Sequence, residues 1–146
     1  MLARLWAFVI REVPVSESGK PAPSPRRILV VEDEYLLAYD LRRDLEAAGA
    51  QVLGPAATVD EALRILDGAS LPDAAVLDVN LGGDKVFPLA RTLRSRGVPF
   101  VFVTGFDAWA LPREFADVPC YEKPVQMSEV LQALGLPQPA VLAIRA

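Results

Sequence analysis

Four apolar runs, each closed by a polar residue, constrain this chain more than any other feature. Ile28-Leu29-Val30-Val31 ends in Glu32-Asp33, Ala74-Ala75-Val76-Leu77 ends in Asp78, Phe100-Val101-Phe102-Val103 ends in Thr104, and Cys120-Tyr121-Glu122 runs into Lys123. Each run has the length and content of a buried strand. Between them lie segments of helical period. Leu37, Leu41, Leu45 and Ala48 recur on one face of a helix predicted over 34–48, which Gly49 ends. Thr58-Val59-Asp60-Glu61 has the capping-box spacing and opens a second helix carrying Ala62, Leu63 and Leu66 inward. A third helix is predicted over 84–96, closed by Gly97, and a last one over 127–135. Pro112 breaks the pattern over 107–117, which reads as a short or interrupted helix. With Gln51–Gly54 as a short second strand, the order is (βα)₅. That alternation predicts an α/β fold, a doubly wound, five-stranded parallel sheet of order 2-1-3-4-5.

Composition narrows the chemistry. The 146 residues suit one domain, and 52% hydrophobic against 23% charged residues fits a folded soluble chain. The net charge of −4, with no basic run longer than Arg26-Arg27, argues against nucleic-acid binding. There is no histidine, which removes Ser-His-Asp and Cys-His catalysis and histidine metal ligands. Cys120 is the one cysteine, so no intramolecular disulfide forms and a cytoplasmic location is expected. Any metal is then a hard cation held by oxygens, Mg²⁺ first among them.

Residues 1–25 differ from the rest. Leu2–Ile10 is apolar but interrupted by Arg4, and is too short for a membrane span. Pro14–Pro25 is rich in proline and serine and reads as a linker. The segment reads as a flexible extension; its Leu5-Trp6-Phe8-Val9 cluster is alternatively a docking element. The domain is expected over 26–136, with 137–146 a tail too short for an output domain.

In the 2-1-3-4-5 order, the carboxyl ends of the first and third strands adjoin at the switch point, where ligands bind. Glu32, Asp33 and Asp78 would converge there. Three carboxylates so placed have raised pKa values or need a cation. Mg²⁺ meets that need, with the backbone carbonyl of Asn80 a further oxygen within reach. Thr104 brings a hydroxyl from the fourth strand, with Gly105 leaving the approach open, and Lys123 brings a positive charge, aimed by Pro124. Such a site suits transfer of a phosphoryl group to a carboxylate. Asp78 is the expected nucleophile; Mg²⁺, Thr104 and Lys123 would neutralise the phosphoryl oxygens. Singly these residues are ordinary: acidic pairs cap helices, and Asp, Thr and Lys-Pro are common at turns. Their joint order carries the argument.

On these motifs the chain resembles the response-regulator receiver domains of two-component signalling, the CheY-like superfamily, over about residues 26–136. The segments are Ile28-Leu29-Val30-Val31-Glu32-Asp33-Glu34, Ala75-Val76-Leu77-Asp78-Val79-Asn80-Leu81, Val101-Phe102-Val103-Thr104-Gly105 and Tyr121-Glu122-Lys123-Pro124. The resemblance implies a flavodoxin-like fold and Mg²⁺ held by Glu32, Asp33, Asp78 and the Asn80 carbonyl. It also implies phosphorylation of Asp78 by a phosphohistidine on a sensor histidine kinase or histidine phosphotransfer protein. The chain would then be a phosphoacceptor signalling protein rather than an enzyme, acting on a downstream protein whose identity the motifs do not give. Pro99–Phe106 followed by Glu122-Lys123-Pro124 is similar to alphaproteobacterial single-domain regulators with a Phe-Ala-Thr-Gly-Tyr-type motif, from which Val103 and Phe106 depart.

Two departures from the wider family stand out. Cys120 occupies the place where many receivers carry an aromatic, three residues before the lysine, and Tyr121 comes one later. Leu81-Gly82-Gly83 replaces the usual Met-Pro after the aspartate, predicting a more mobile loop. Phe106, two residues after Thr104, either shields the phosphoryl group from water or simply packs. The donor would dock on the helix beginning near Glu34, and phosphorylation would alter the face formed by 105–135. A dehalogenase-type phosphatase would need a second aspartate where Asn80 stands, and an FMN binder would not place Glu32-Asp33-Glu34 in its phosphate loop. A degenerate receiver acting as a phosphorylation-independent interaction module remains as the alternative.

Overall fold

Strands β1 (Arg27–Val31), β3 (Ala74–Asp78) and β6 (Phe100–Thr104) are buried along nearly their whole length, as strands covered on both faces must be. The computed structural model describes residues 24–68, 70–105 and 111–138. The remaining elements are α1 (Tyr35–Ala47), β2 (Gln51–Ala56), α2 (Val59–Gly68), β4 (Asn80–Leu81), β5 (Asp84–Lys85), α3 (Phe87–Ser95), a 3₁₀ turn (Arg113–Phe115), β7 (Cys120–Glu122) and α4 (Met127–Ala133). Five strands form one sheet of order β2-β1-β3-β6-β7, all neighbours parallel. With the small β4–β5 pair set aside, this is the expected 2-1-3-4-5 order.

The period of two along each strand sorts the core into two layers. Leu29, Val31, Ala75, Leu77, Phe100 and Phe102 meet Ala62 and Leu66 of α2, Leu89 and Leu93 of α3, and Phe115 of the 3₁₀ turn. Ile28, Val30, Ala74, Val76, Val101 and Val103 meet Leu41 and Leu45 of α1, and Val130 and Leu131 of α4. Two helices thus cover each face. The expected capping box at α2 forms with one shift: Glu61 N–H donates to Thr58 Oγ1 at 3.1 Å, and Glu61 Oε2 accepts from Ala57 N–H at 3.0 Å.

The structure corrects two expectations. Residues 80–85 form a hairpin, with Asn80 paired to Lys85 and Leu81 to Asp84. Gly82 and Gly83, at φ 60° and 99°, supply the two left-handed positions of its two-residue turn. The segment predicted as a mobile loop is therefore hydrogen-bonded, and Leu81 and Val86 anchor it in the core. For the same reason α3 begins at Phe87 rather than at residue 84. Over 107–117, the described part holds only the 3₁₀ turn after Pro112. Most of the N-terminal extension, Phe106 and most of the tail lie outside the described residues. Among the described residues no helix is long and apolar enough to cross a membrane.

Candidate functional site

The parallel register delivers the polar strand ends to one edge of the sheet. Val31 pairs with Leu77 and Asp78 with Val103, so the residues following β1, β3 and β6 lie side by side. Thr104 pairs with Glu122, and the Thr104 carbonyl accepts from Lys123 N–H at 2.8 Å, tying the end of β7 to the end of β6. The Lys123–Pro124 peptide is cis. A cleft of about 1330 Å³ opens there, lined by Asp33, Asp78, Asn80, Thr104 and Lys123 among others.

Lys123 Nζ donates to three carboxylates: Asp78 Oδ2 at 3.1 Å, Glu32 Oε1 at 3.2 Å and Glu34 Oε1 at 3.2 Å. Glu32, Asp78 and Thr104 are buried. Burial pushes the Glu32 carboxyl up to about 8; the neighbouring Asp78 carboxylate adds to this, and Lys123 only partly offsets it. Burial alone would lower the Lys123 ammonium, but Asp78 and Glu32 outweigh it and raise it above the ordinary lysine value. Asn80 N–H donates to Asp78 Oδ1 at 3.2 Å, and Glu34 N–H to Glu32 Oε1 at 3.2 Å.

One atom in this network is unsatisfied. Glu32 Oε2 is buried with no hydrogen-bond partner among the described residues. Carboxylate oxygens of Glu32, Asp33 and Asp78 lie within 4.8 Å of one another. An orphaned buried oxygen beside two further carboxylates fits a hard divalent cation, which prefers oxygen ligands and tolerates retained water. The six residues singled out in the sequence, Glu32, Asp33, Asp78, Asn80, Thr104 and Lys123, therefore lie together. Sequence reasoning missed Glu34 as part of the site. Its signal was its position directly after the acidic pair, at the mouth where α1 begins.

The pleat of β7 settles which way its side chains face. Cys120 packs with the Phe87–Phe102–Phe115 layer, beside its register partner Phe102, whereas Tyr121 packs on the opposite face against the α1–α4 layer. Tyr121 therefore does not occupy the aromatic position that Cys120 leaves. Phe115 fills that layer instead, its ring 5.5 Å from Phe102, 5.7 Å from Phe87 and 6.0 Å from Phe100. Burial raises the Cys120 thiol, with Glu122 adding to it.

Solved structures share this fold. No protein-family model matches the chain. The chain is 40% identical to SdrG from Sphingomonas melonis Fr1, with a TM-score of 0.68, covering 78% of this chain and 97% of that one. The BeF₃-activated conformation of SdrG matches at 42% identity and TM-score 0.63, over 75% and 92%. A CheY-like response regulator receiver domain from Methylobacillus flagellatus matches at 27% identity and TM-score 0.64, over 76% and 99%. The phyllosphere-induced regulator PhyR of Methylorubrum extorquens is 34% identical over 99 residues. The chain belongs to the response-regulator receiver-domain family. The receiver spans 36% of PhyR and 58% of the next curated relative, the PdtaR regulator of Mycobacterium tuberculosis. Receiver domains are signalling modules that typically bind Mg²⁺ at an acidic pocket, and this receiver holds an acidic cluster of Glu32, Asp33 and Asp78.

Proposed function

We propose that Asp78 of this receiver accepts a phosphoryl group from a phosphohistidine on a sensor histidine kinase or histidine phosphotransfer protein, and that its phosphorylation state controls contacts with a downstream protein. The observation that carries this reading is the Asp78–Lys123 contact at 3.1 Å, made beside the Glu32-Asp33 pair in one open cleft. An Asp78 carboxylate oxygen attacks phosphorus; the P–N bond to the donor histidine breaks, and the imidazole leaves with the electron pair. Glu32, Asp33, Asp78 and the Asn80 carbonyl are the ligands proposed for Mg²⁺, which when bound supplies charge neutralisation at the phosphoryl oxygens. Lys123, 3.1 Å from Asp78 Oδ2, supplies a second positive charge. Thr104, buried at the end of β6, supplies a hydroxyl to a phosphoryl oxygen.

The donor docks over α1. Tyr35, Leu36 and Tyr39 are 82%, 76% and 56% exposed at the start of that helix, and Leu36 also lines the cleft. Large apolar side chains at such exposure mark a contact surface. The reading places the protein in the cytoplasm, where such donors work, and within the regulators carrying a Phe-Ala-Thr-Gly-Tyr-type motif.

The deciding experiment uses a small acyl phosphate with Mg²⁺. Wild type takes up one phosphoryl group, and Asp78→Asn takes up none. Labelling that persists in Asp78→Asn overturns the assignment of the acceptor; a wild type that stays unlabelled by both the small donor and a phosphohistidine donor supports a degenerate receiver.

A further inference from the structure

Of the three carboxylates around Lys123 Nζ, Glu34 stands apart. Glu32 and Asp78 belong to the cluster suited to a cation, and Glu34 does not. Glu34 is the N-cap residue of α1, yet its side chain makes no capping hydrogen bond. Its carboxylate reaches the ammonium of Lys123 at 3.2 Å instead, with the side chain 63% exposed at the rim of the cleft. A cation at the acidic cluster draws on Glu32, and phosphorylation turns the Asp78 carboxylate into an acyl phosphate. Glu34 is then the one carboxylate of the three left to compete with the phosphoryl oxygens for Lys123.

We propose that Glu34 is a positioning and specificity residue: it holds Lys123 back from the phosphoryl group and sets a negative charge at the cleft mouth, so that free anionic phosphodonors react slowly. A donor carried on a protein surface covers or pairs Glu34 on docking, and a free acyl phosphate does not. The inference rests on Asp78 as acceptor. In the step concerned, an Asp78 oxygen forms the new P–O bond, and the acyl P–O bond of the donor breaks to release a carboxylate.

The test compares wild type, Glu34→Gln and Asp40→Asn with a small acyl phosphate and saturating Mg²⁺. Asp40 lines the same cleft but pairs with Arg43, not Lys123. Glu34→Gln is expected to raise the labelling rate about three- to tenfold at low ionic strength, the gain shrinking in high salt as exposed charges are screened. Asp40→Asn is expected to change it less than about twofold, its carboxylate lying outside the Lys123 contact. In metal-free protein, the Lys123 ¹⁵Nζ resonance shifts in Glu34→Gln and not in Asp40→Asn. Equal labelling rates in wild type and Glu34→Gln, an equal gain in Asp40→Asn, or an unmoved Lys123 resonance overturns the inference while leaving Asp78 as acceptor. Absence of labelling in wild type and Glu34→Gln overturns both.

Discussion

Lys123 Nζ and Asp78 Oδ2 lie 3.1 Å apart although 45 residues separate them in the chain. The ammonium is already surrounded by carboxylates, so it and a divalent cation compete for the same negative charge. Lys123→Ala is therefore expected to act in opposite directions on two measurements. Mg²⁺ affinity, read by calorimetry, rises about tenfold as the competing charge is removed. Phosphoryl labelling falls about a hundredfold as a group stabilising the transferring oxygens is lost. A parallel fall in both quantities would assign Lys123 a structural role only.

The Glu32 carboxyl, raised to about 8 by burial, predicts a pH dependence. Between its ordinary value of 4.5 and about 8, the folded state holds a proton that the unfolded state has released. Stability in chelator consequently falls as pH rises through that window. A cation favours the ionised carboxylate, so saturating Mg²⁺ flattens the fall, and Glu32→Gln removes it. Urea midpoints at pH 5, 6.5 and 8, with chelator and with Mg²⁺, measure all three.

Phe115 is fully buried and stacks on Phe87 while meeting Phe100 and Phe102 edge-on. Phe115→Ala is expected to cost about 3–5 kcal/mol in chemical denaturation, the range for truncating a buried aromatic. Arg91 and Arg94 of α3 hold the same turn, Arg91 pairing with Glu114 at 2.6 Å and Arg94 with Asp117 at 3.1 Å. These pairs are exposed, so their removal is expected to cost far less than loss of the ring.

Gly54 sits at φ +88°, where the β1–β2 register shifts between Leu29 and Val31. A Cβ there would lie 2.7 Å from Ala56 N and 2.9 Å from the Val30 carbonyl oxygen, both backbone atoms. Gly54→Ala is expected to destabilise the domain by more than about 2 kcal/mol, from left-handed strain together with the clash. Thermal and urea unfolding of this single variant check it.

Tyr121 faces the α1–α4 layer, away from Cys120 and Phe115. On phosphorylation, the amide resonances of 113–122 are expected to shift equally in wild type and Tyr121→Phe. A loss of those shifts in the variant would make Tyr121 the reporting aromatic.

Much of this was determined by local sequence. The runs at Ile28, Ala74 and Phe100 are continuous because both sheet faces are covered, and that continuity is visible without coordinates. The right-handed crossover rule then leaves few strand orders, and the polar residue closing each run falls at the shared edge. Gly82-Gly83 was harder to read, because a two-residue hairpin and a loose loop use the same residues; the pairing of Asn80 with Lys85 distinguishes them. Only tertiary structure decided the rest. Which face of β7 Cys120 takes depends on its register with Phe102, a contact across the sheet. That Glu34 caps nothing and reaches Lys123, and that Glu32 keeps one oxygen unpartnered among the described residues, follow from side chains 89 and more residues apart meeting in one cleft. Strand content and polarity are local properties of the chain. Desolvation and charge pairing belong to the assembled cleft, and it is these that set what Glu32, Glu34 and Lys123 do.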